Sequence, residues 1–294
     1  MRKNGRFNAY EDFTKESGFD FALHSTIGCG GKAETLFCPK TERELSALRL
    51  QLKKDKFPFF IVGNLSNVLP PDGEVEAAII SLKHLKQIVA SDTVYVGAGV
   101  TSSALLRSMQ SIGKSGAEFL AGIPCTLGGA LYMNAGVNGA HISDIVDSVI
   151  AVSDGGVKVL SLSDCDYGYK NSRFMQTDEI ILGAHLRLHN KDAQTVKEKI
   201  KGYLQKRAHL PKGKSMGCVF KNPQNVSMTA GELIERSGLK GKRIGGARIA
   251  DLHANFIIND GATSAEIKAL IAFVKNEVYK RQGITLEEEI RYLR

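Results

Sequence analysis

Apolar residues recur at helical spacing in several stretches of the chain, each set off by a capping or stop signal. Thr41 with Glu44 has the form of a capping box, and Leu45, Leu48 and Leu52 follow on one face. Over residues 193–207, Val196, Ile200, Tyr203 and Leu204 repeat at the same spacing. Thr229 with Glu232 predicts a short helix that closes near Gly238. The clearest stripe is Ile267, Leu270, Ile271, Val274 and Val278, between a Thr263–Glu266 cap and Gly283. Strand-like runs lie at 57–63, 75–82, 92–100, 147–153, 156–162 and 179–188. Helices and strands mixed in this way predict an α+β fold with mixed sheets. A polar, turn-prone stretch at 189–195 separates a glycine- and strand-rich part from a helical C-terminal part and marks a domain boundary.

Composition narrows the class. The 294 residues suffice for two or three units with cores of their own. Hydrophobic residues at 43% and charged residues at 24% are ordinary for a globular chain and exclude a disordered chain or a fibre. The formal net charge is +8, but 39 basic residues are interleaved with 31 acidic ones. No basic stripe alternates with aromatics, so no nucleic-acid partner is expected, and an anionic small substrate accounts for the charge. No apolar run follows the basic start, and none reaches the ~18 residues that a membrane span needs. A cytoplasmic protein with no membrane partner is the expectation. The cysteines at 29, 38, 125, 165 and 218 form no CxxC pair and no zinc spacing, which predicts free thiols and no metal site.

Two glycine-rich segments carry candidate chemistry. Gly63, Asn64, Leu65, Ser66, Asn67 and Val68 follow a strand, and residues 121–139 are denser still in Gly and Ala. Such segments let main-chain N–H groups close around an anion, and a pyrophosphate is the natural guest. Tight turns and close strand packing are the other use. Neither segment is GxGxxG at the mouth of a helix or GxxxxGK[ST], which argues against Rossmann and P-loop sites. Further on, GCVFKNP (217–223) sets Cys218 between a glycine and a Lys–Asn pair. Read alone, this thiol is either reactive or a small buried side chain.

The order of motifs resembles the UDP-N-acetylenolpyruvoylglucosamine reductase family. HSTIGCGGKAE (24–34), VGNLSNVL (62–69), AGIPCTLGGALYMNAG (121–136), YKNSRF (169–174), GCVFKNP, GLKGKRIGGARIADLHANFIIN (238–259) and LEEEIR (286–291) carry the likeness over nearly the full length. The short path to GCVFKNP is similar to the branch of the family that lacks an extra tyrosine-bearing substrate loop. The resemblance implies a two-part FAD-binding region of the vanillyl-alcohol oxidase type, at 1–80 and 81–190, and a C-terminal α+β substrate domain at 191–294. The expected reaction is reduction of UDP-N-acetylglucosamine enolpyruvate to UDP-N-acetylmuramate in peptidoglycan precursor synthesis. FAD is the implied cofactor, NADPH the reductant, a UDP-sugar the substrate and a monomer the expected state.

Site residues follow from the same matching. FAD is expected on Gly63 to Val68 and on Ala121, Gly122, Ile123, Pro124, Thr126, Gly128, Gly129, Ala130, Asn134, Ala135 and Gly136. Cys218 stands where the family most often has a proton-donating serine. A thiol is a stronger acid than an alcohol, so it is a competent general acid. Lys170 replaces the family's arginine and keeps the charge that steadies an enolate while losing the planar fork, with Arg173 as a second cation nearby. Glu289 aligns with the family's C-terminal glutamate because Ile290 and Arg291 fix the register. Tyr169, Ser172, His209, Lys221, Asn222 and Asn255 are the expected substrate contacts. The chain departs from the family pattern at Gly28, Leu65 and Cys125 as well as at Lys170 and Cys218. The alternatives are another FAD oxidoreductase of the same fold and a non-catalytic flavin- or nucleotide-binding relative. An oxidase has no use for a proton donor with a carboxylate. A decayed relative would more often carry Ala, Gly or a bulky apolar residue at 170 and 218.

Overall fold

The computed structural model of the protein describes residues 6–293; the beginning of the basic start, 1–5, and Arg294 lie outside the described residues. Two compact units interleave along the chain. The first takes the residues up to Ser17, then Thr35–Asn64 and Ala77–Ala208. The second takes Gly18–Glu34, Leu65–Glu76 and the residues from His209 onward.

In the first unit, β1 (Lys32–Phe37, which enters the unit at Thr35), β2 (Phe59–Val62) and β3 (Ala78–Ser81) form a parallel array in the order β1-β3-β2. Strands β4 (Ile88–Ala90), β5 (Val94–Gly97), β6 (Val146–Ser153), β7 (Gly156–Ser161) and β8 (Ile180–Leu186) form a five-stranded antiparallel sheet. Its order is β7-β6-β8-β5-β4, so β8 lies between β6 and β5. Val96, Val149, Ala151, Ala184 and Leu186 are buried. All the strand-like runs read from the sequence are found here.

Helix α1 (Glu42–Lys54) buries Leu45, Leu48 and Leu52 as its spacing predicts. Only half of its expected capping box forms. Thr41 accepts from the Glu44 N–H at 3.1 Å, but the Glu44 carboxylate turns to the N–H groups of Thr14 (2.6 Å) and Lys40 (2.8 Å). The glutamate thereby ties the helix start to a distant segment of the same unit. Helices α2 (Ser102–Ile112) and α3 (Leu127–Tyr132) were not read from the pattern. The first carries a Thr101 cap and ends at Gly113 with φ 66°, signals overlooked beside the stronger strand before it. The second is hidden by its own glycines. Helix α4 (Ala193–Lys206), assigned by the change of texture to the C-terminal part, lies within the first unit. Its Val196 is fully buried and Ile200 and Tyr203 pack on the first core, so the unit ends after the helix.

The second unit has its own core around α5 (Ala230–Arg236), α6 (Ser264–Gln282) and a sheet in the order β9-β10-β11, made of Arg243–Ile244, Ala247–Ile249 and Ile257–Asn259. Both helices start on complete capping boxes, Thr229–Glu232 and Thr263–Glu266. Asp72 adds a carboxylate at the start of α6, accepting from Ser264 N–H at 2.6 Å and Ala265 N–H at 2.8 Å. The stripe from Ile267 to Val278 is buried and Gly283 closes the helix at φ 68°. Leu270→Ala is expected to cost about 3 kcal/mol, because it leaves a cavity in the core. Thr263→Ala should cost about 1 kcal/mol, because it removes only a cap. Urea midpoints for the two variants check the ranking; equal losses would contradict it.

Candidate active site

In the first unit the glycine-rich loops are fastened together. Asn64 Nδ2 donates to Pro124 O at 3.0 Å, and a Cβ on Gly63 would lie 2.5 Å from Thr126 Oγ1. Thr126 caps α3, accepting from Gly129 N–H at 3.3 Å, while Gly128 N–H donates to Ala98 O at 2.9 Å. Gly122 sits at φ 77°, a conformation that suits glycine. Ala121 and Ala130 are buried beneath the loop. Among the described residues, the main-chain N–H groups of Asn64, Gly122 and Thr126 find no protein acceptor. Unpaired main-chain donors on glycine-rich turns are the donor set that a diphosphate requires, so these residues fit that part of a flavin dinucleotide. Burial pushes the Cys125 thiol up to about 11, and it stays protonated beside the loop.

The remainder of the first glycine segment belongs to the second unit and serves another strand. Leu65 is buried at φ 49°, a conformation that favours glycine. Asn67 Nδ2 donates to Glu289 O at 3.1 Å, Arg291 N–H donates to Asn67 O at 2.9 Å, and Val68 pairs with Arg291 in parallel register. Ser66 is the partly buried residue between them.

Cys218 lies on a segment held from both sides. On one side it bridges Phe256, and Val219 N–H donates to Asn255 O at 2.9 Å. The Asn255 side chain accepts from Phe220 N–H at 2.9 Å and donates to Phe220 O at 2.8 Å. Asn255 is 3% exposed and both ends of its amide are used on this main chain, so it positions the Cys218 segment. On the other side, Glu289 N–H donates to Val219 O and Lys221 N–H to Glu287 O, both at 2.8 Å. Cys218 is half-buried against the cluster of Ala250, Phe256 and Ile258, on which Leu210 also packs.

The three glutamates separate by environment. Glu287 is exposed and accepts from Lys221 Nζ at 2.5 Å. Glu288 opposes Phe220 and accepts from Lys275 Nζ at 2.7 Å and Tyr292 Oη at 2.6 Å. Glu289 is half-buried, one strand position from Cys218 along the main-chain register. Asn222 Oδ1 accepts from Ala230 N–H at 3.0 Å at the start of α5, and His209 is exposed.

Lys170 is in the first unit, on a two-residue turn. Gly168 and Asn171 exchange main-chain hydrogen bonds at 3.1 and 3.2 Å, with exposed Tyr169 and half-buried Lys170 at the tip. Lys170 has φ 52°, where such a turn ordinarily carries Gly or Asn. Ser172 is fully buried and its Oγ donates to Tyr132 O at 2.6 Å, so its hydroxyl holds the turn. Asn134 Nδ2 donates to Gly168 O at 2.9 Å and joins the same support. Arg173, read as a second cation, is committed to Glu179 through two bonds of 2.8 and 3.1 Å. Glu179 was read only as the start of a strand run, because nothing in its spacing ties it to Arg173.

Comparison with known proteins agrees with this distribution. A family model described as an FAD binding domain matches residues 33–161, and one described as the C-terminal domain of UDP-N-acetylenolpyruvoylglucosamine reductase matches 208–293. The UDP-N-acetylenolpyruvoylglucosamine reductase of Geobacter metallireducens is 39% identical over 275 residues, spanning 92% of this chain and 91% of that one. That of Chlamydia felis is 36% identical over 286 residues, spanning 96% and 95%. The crystal structure of the Thermus caldophilus reductase has a TM-score of 0.82 at 30% identity and covers 96% of this chain and 100% of its own. An α+β chain with an FAD-binding domain and this C-terminal domain, it belongs to the UDP-N-acetylenolpyruvoylglucosamine reductase family of FAD-dependent oxidoreductases.

Proposed function

We propose that the protein reduces the enolpyruvyl ether of UDP-N-acetylglucosamine enolpyruvate to UDP-N-acetylmuramate, with NADPH as reductant, in peptidoglycan precursor synthesis. The observation that carries the reading is the main-chain register that sets Cys218 beside the Val219–Glu289 hydrogen bond. It brings the main chains of the proposed acid and the proposed carboxylate together, as the reading requires.

When bound, FAD supplies the relay of hydride between the nicotinamide and the substrate's terminal carbon. Asn64, Gly122 and Thr126 would hold its diphosphate through main-chain N–H groups, Gly63 allows the close approach to Thr126, and Gly128, Gly129 and Ala130 keep the turn into α3 narrow. Lys170 steadies the negative charge that develops beside the substrate carboxylate. Cys218 Sγ–H gives its proton to the neighbouring carbon, the one that bears the carboxylate, and Glu289 orients the carboxylate or a water. Tyr169, His209, Lys221 and Asn222 contact the UDP-sugar. The Lys221 partner, Glu287, has a side chain 73% exposed, so exchanging it for an anionic substrate costs little. Ser172 and Asn255 act by holding main chain. A cytoplasmic monomer without a nucleic-acid partner completes the reading. Among the described residues no helix is long and apolar enough to cross a membrane.

One UDP-N-acetylmuramate should form per NADPH oxidised, and NADPH oxidation that needs oxygen in place of the enolpyruvyl ether would contradict the assignment. Cys218→Ser should stay within about tenfold of the parent turnover, while Cys218→Ala should lose about 100-fold, a typical general-acid contribution. Lys170→Arg should retain turnover and Lys170→Met lose about 100-fold through the missing charge. Parent-like rates in Cys218→Ala and Lys170→Met would remove both residues from the mechanism. Leu65→Gly should bind FAD within about threefold of the parent, because the left-handed main chain it preserves is what matters. Leu65→Val should lose about 1–2 kcal/mol, because a β-branched residue is strained there. Flavin fluorescence titration and urea midpoints decide.

A further inference from the structure

Lys170 is a residue in a strained conformation on a turn that the rest of the first unit over-determines. A lysine at φ 52° costs of order 1 kcal/mol relative to an unstrained one, and such outliers persist only where neighbours enforce them. Three contacts do so. Asn134 Nδ2 holds Gly168 O at 2.9 Å, and Ser172 Oγ holds Tyr132 O at 2.6 Å. The third is Arg173, two residues beyond the turn, whose Nε and Nη2 reach Glu179 Oε2 and Oε1 at 2.8 and 3.1 Å.

Glu179 has the properties of an anchor. Its side chain is 4% exposed, and it also accepts from Lys158 Nζ and from Thr177 Oγ1, the latter at 3.0 Å. It immediately precedes β8, the strand between β6 and β5, and Lys158 is on β7, so both ends of the ion pair are rooted in the sheet. The hydrogen bond from Arg173 holds its carboxyl at about 2 against the opposing effect of burial, with Lys158 assisting, so it is ionised at any working pH. A buried carboxylate satisfied by two cations and a hydroxyl is a rigid point, and the planar guanidinium passes that rigidity to the main chain next to Ser172.

We propose that Glu179 is a positioning residue of the reduction, acting through Arg173 to fix the Tyr169–Lys170 turn and with it the place of the Lys170 ammonium. The proposal rests on the reading of Lys170 as the charge that steadies the substrate. It assigns Glu179 no contact with substrate. A misplacement of about 1 Å in a preorganised charge can lower a rate by up to about 100-fold, which makes the clamp kinetically consequential.

The test is a double-mutant cycle on purified, FAD-loaded protein. Glu179→Gln should lower kcat about tenfold with KM within about threefold, because the lost interaction is one made in the transition state. Lys170→Met should lower kcat about 100-fold, and the double variant should be no slower than Lys170→Met within about twofold. The rate at which NADPH bleaches the flavin should be unchanged in every variant that folds, while Glu179→Gln should lower the melting temperature, because it leaves two cations without their buried carboxylate. Arg173→Met, altering a side chain 36% exposed, repeats the cycle from the other partner should Glu179→Gln fail to fold. Losses that multiply to about 1,000-fold in the double variant would mean independent action and overturn the proposal. Parent rates in both Glu179→Gln and Arg173→Met with a slow Lys170→Met would overturn the clamp alone. A Lys170→Met that turns over like the parent would overturn the reading of Lys170 and the clamp with it.

Discussion

The second unit depends on a short piece of main chain, residues 218–221, held between Asn255–Phe256 and Glu287–Glu289. Its N–H and C=O groups are shared between a side chain on one flank and a strand-like tail on the other. Asn255 satisfies both polar groups of Phe220 in a site it shares with almost no solvent, and losing it would leave two buried groups without partners. The same tail is fastened to Asn67 and pairs with Val68, so Asn67, Val68, Glu289 and the Cys218 segment are set by one continuous hydrogen-bonded array. The Gly217–Cys218 step, with Gly217 at φ 76°, is in this way given one position.

Left-handed main chain recurs at three of the residues expected in the site, as it does at Lys56, Asn138 and Asp166. Leu65, Asn134 and Lys170 all have positive φ. For Leu65 the burial of a large side chain offsets the strain. For Lys170 no such burial exists, and the offset comes from a clamp of hydrogen bonds and an ion pair. The chemical reason is common to both. A left-handed conformation at a residue other than glycine persists only where the surrounding unit holds it there.

Much of this was legible in the sequence, for identifiable reasons. The α6 stripe and its Thr263 box are local, and locality is what periodicity records. The six strand runs were legible because each is a short stretch rich in β-branched or aromatic residues, and β8 and Ala78–Ser81 are buried almost throughout. The glycine segments suggested an anion nest, and the motif order suggested the family. What was not legible is long-range. Glu44 gives its carboxylate to Thr14, and Glu179 meets Arg173 across a 3₁₀ turn. The Asn255 amide serves Phe220, 35 positions away in the chain. Ser172 has the motif position of a substrate contact and a fully buried hydroxyl bonded to Tyr132. A motif reports that a residue type is needed at a place; the contacts in the fold report what it does there.

The account's central claim is tested most directly by following the flavin spectrum through one anaerobic cycle. The protein is loaded with FAD, bleached with NADPH, and then mixed with UDP-N-acetylglucosamine enolpyruvate. Return of the oxidised spectrum without oxygen, with formation of UDP-N-acetylmuramate, is the result the account predicts. A flavin that stays bleached until oxygen is admitted would contradict it and place the chain's chemistry with a different acceptor.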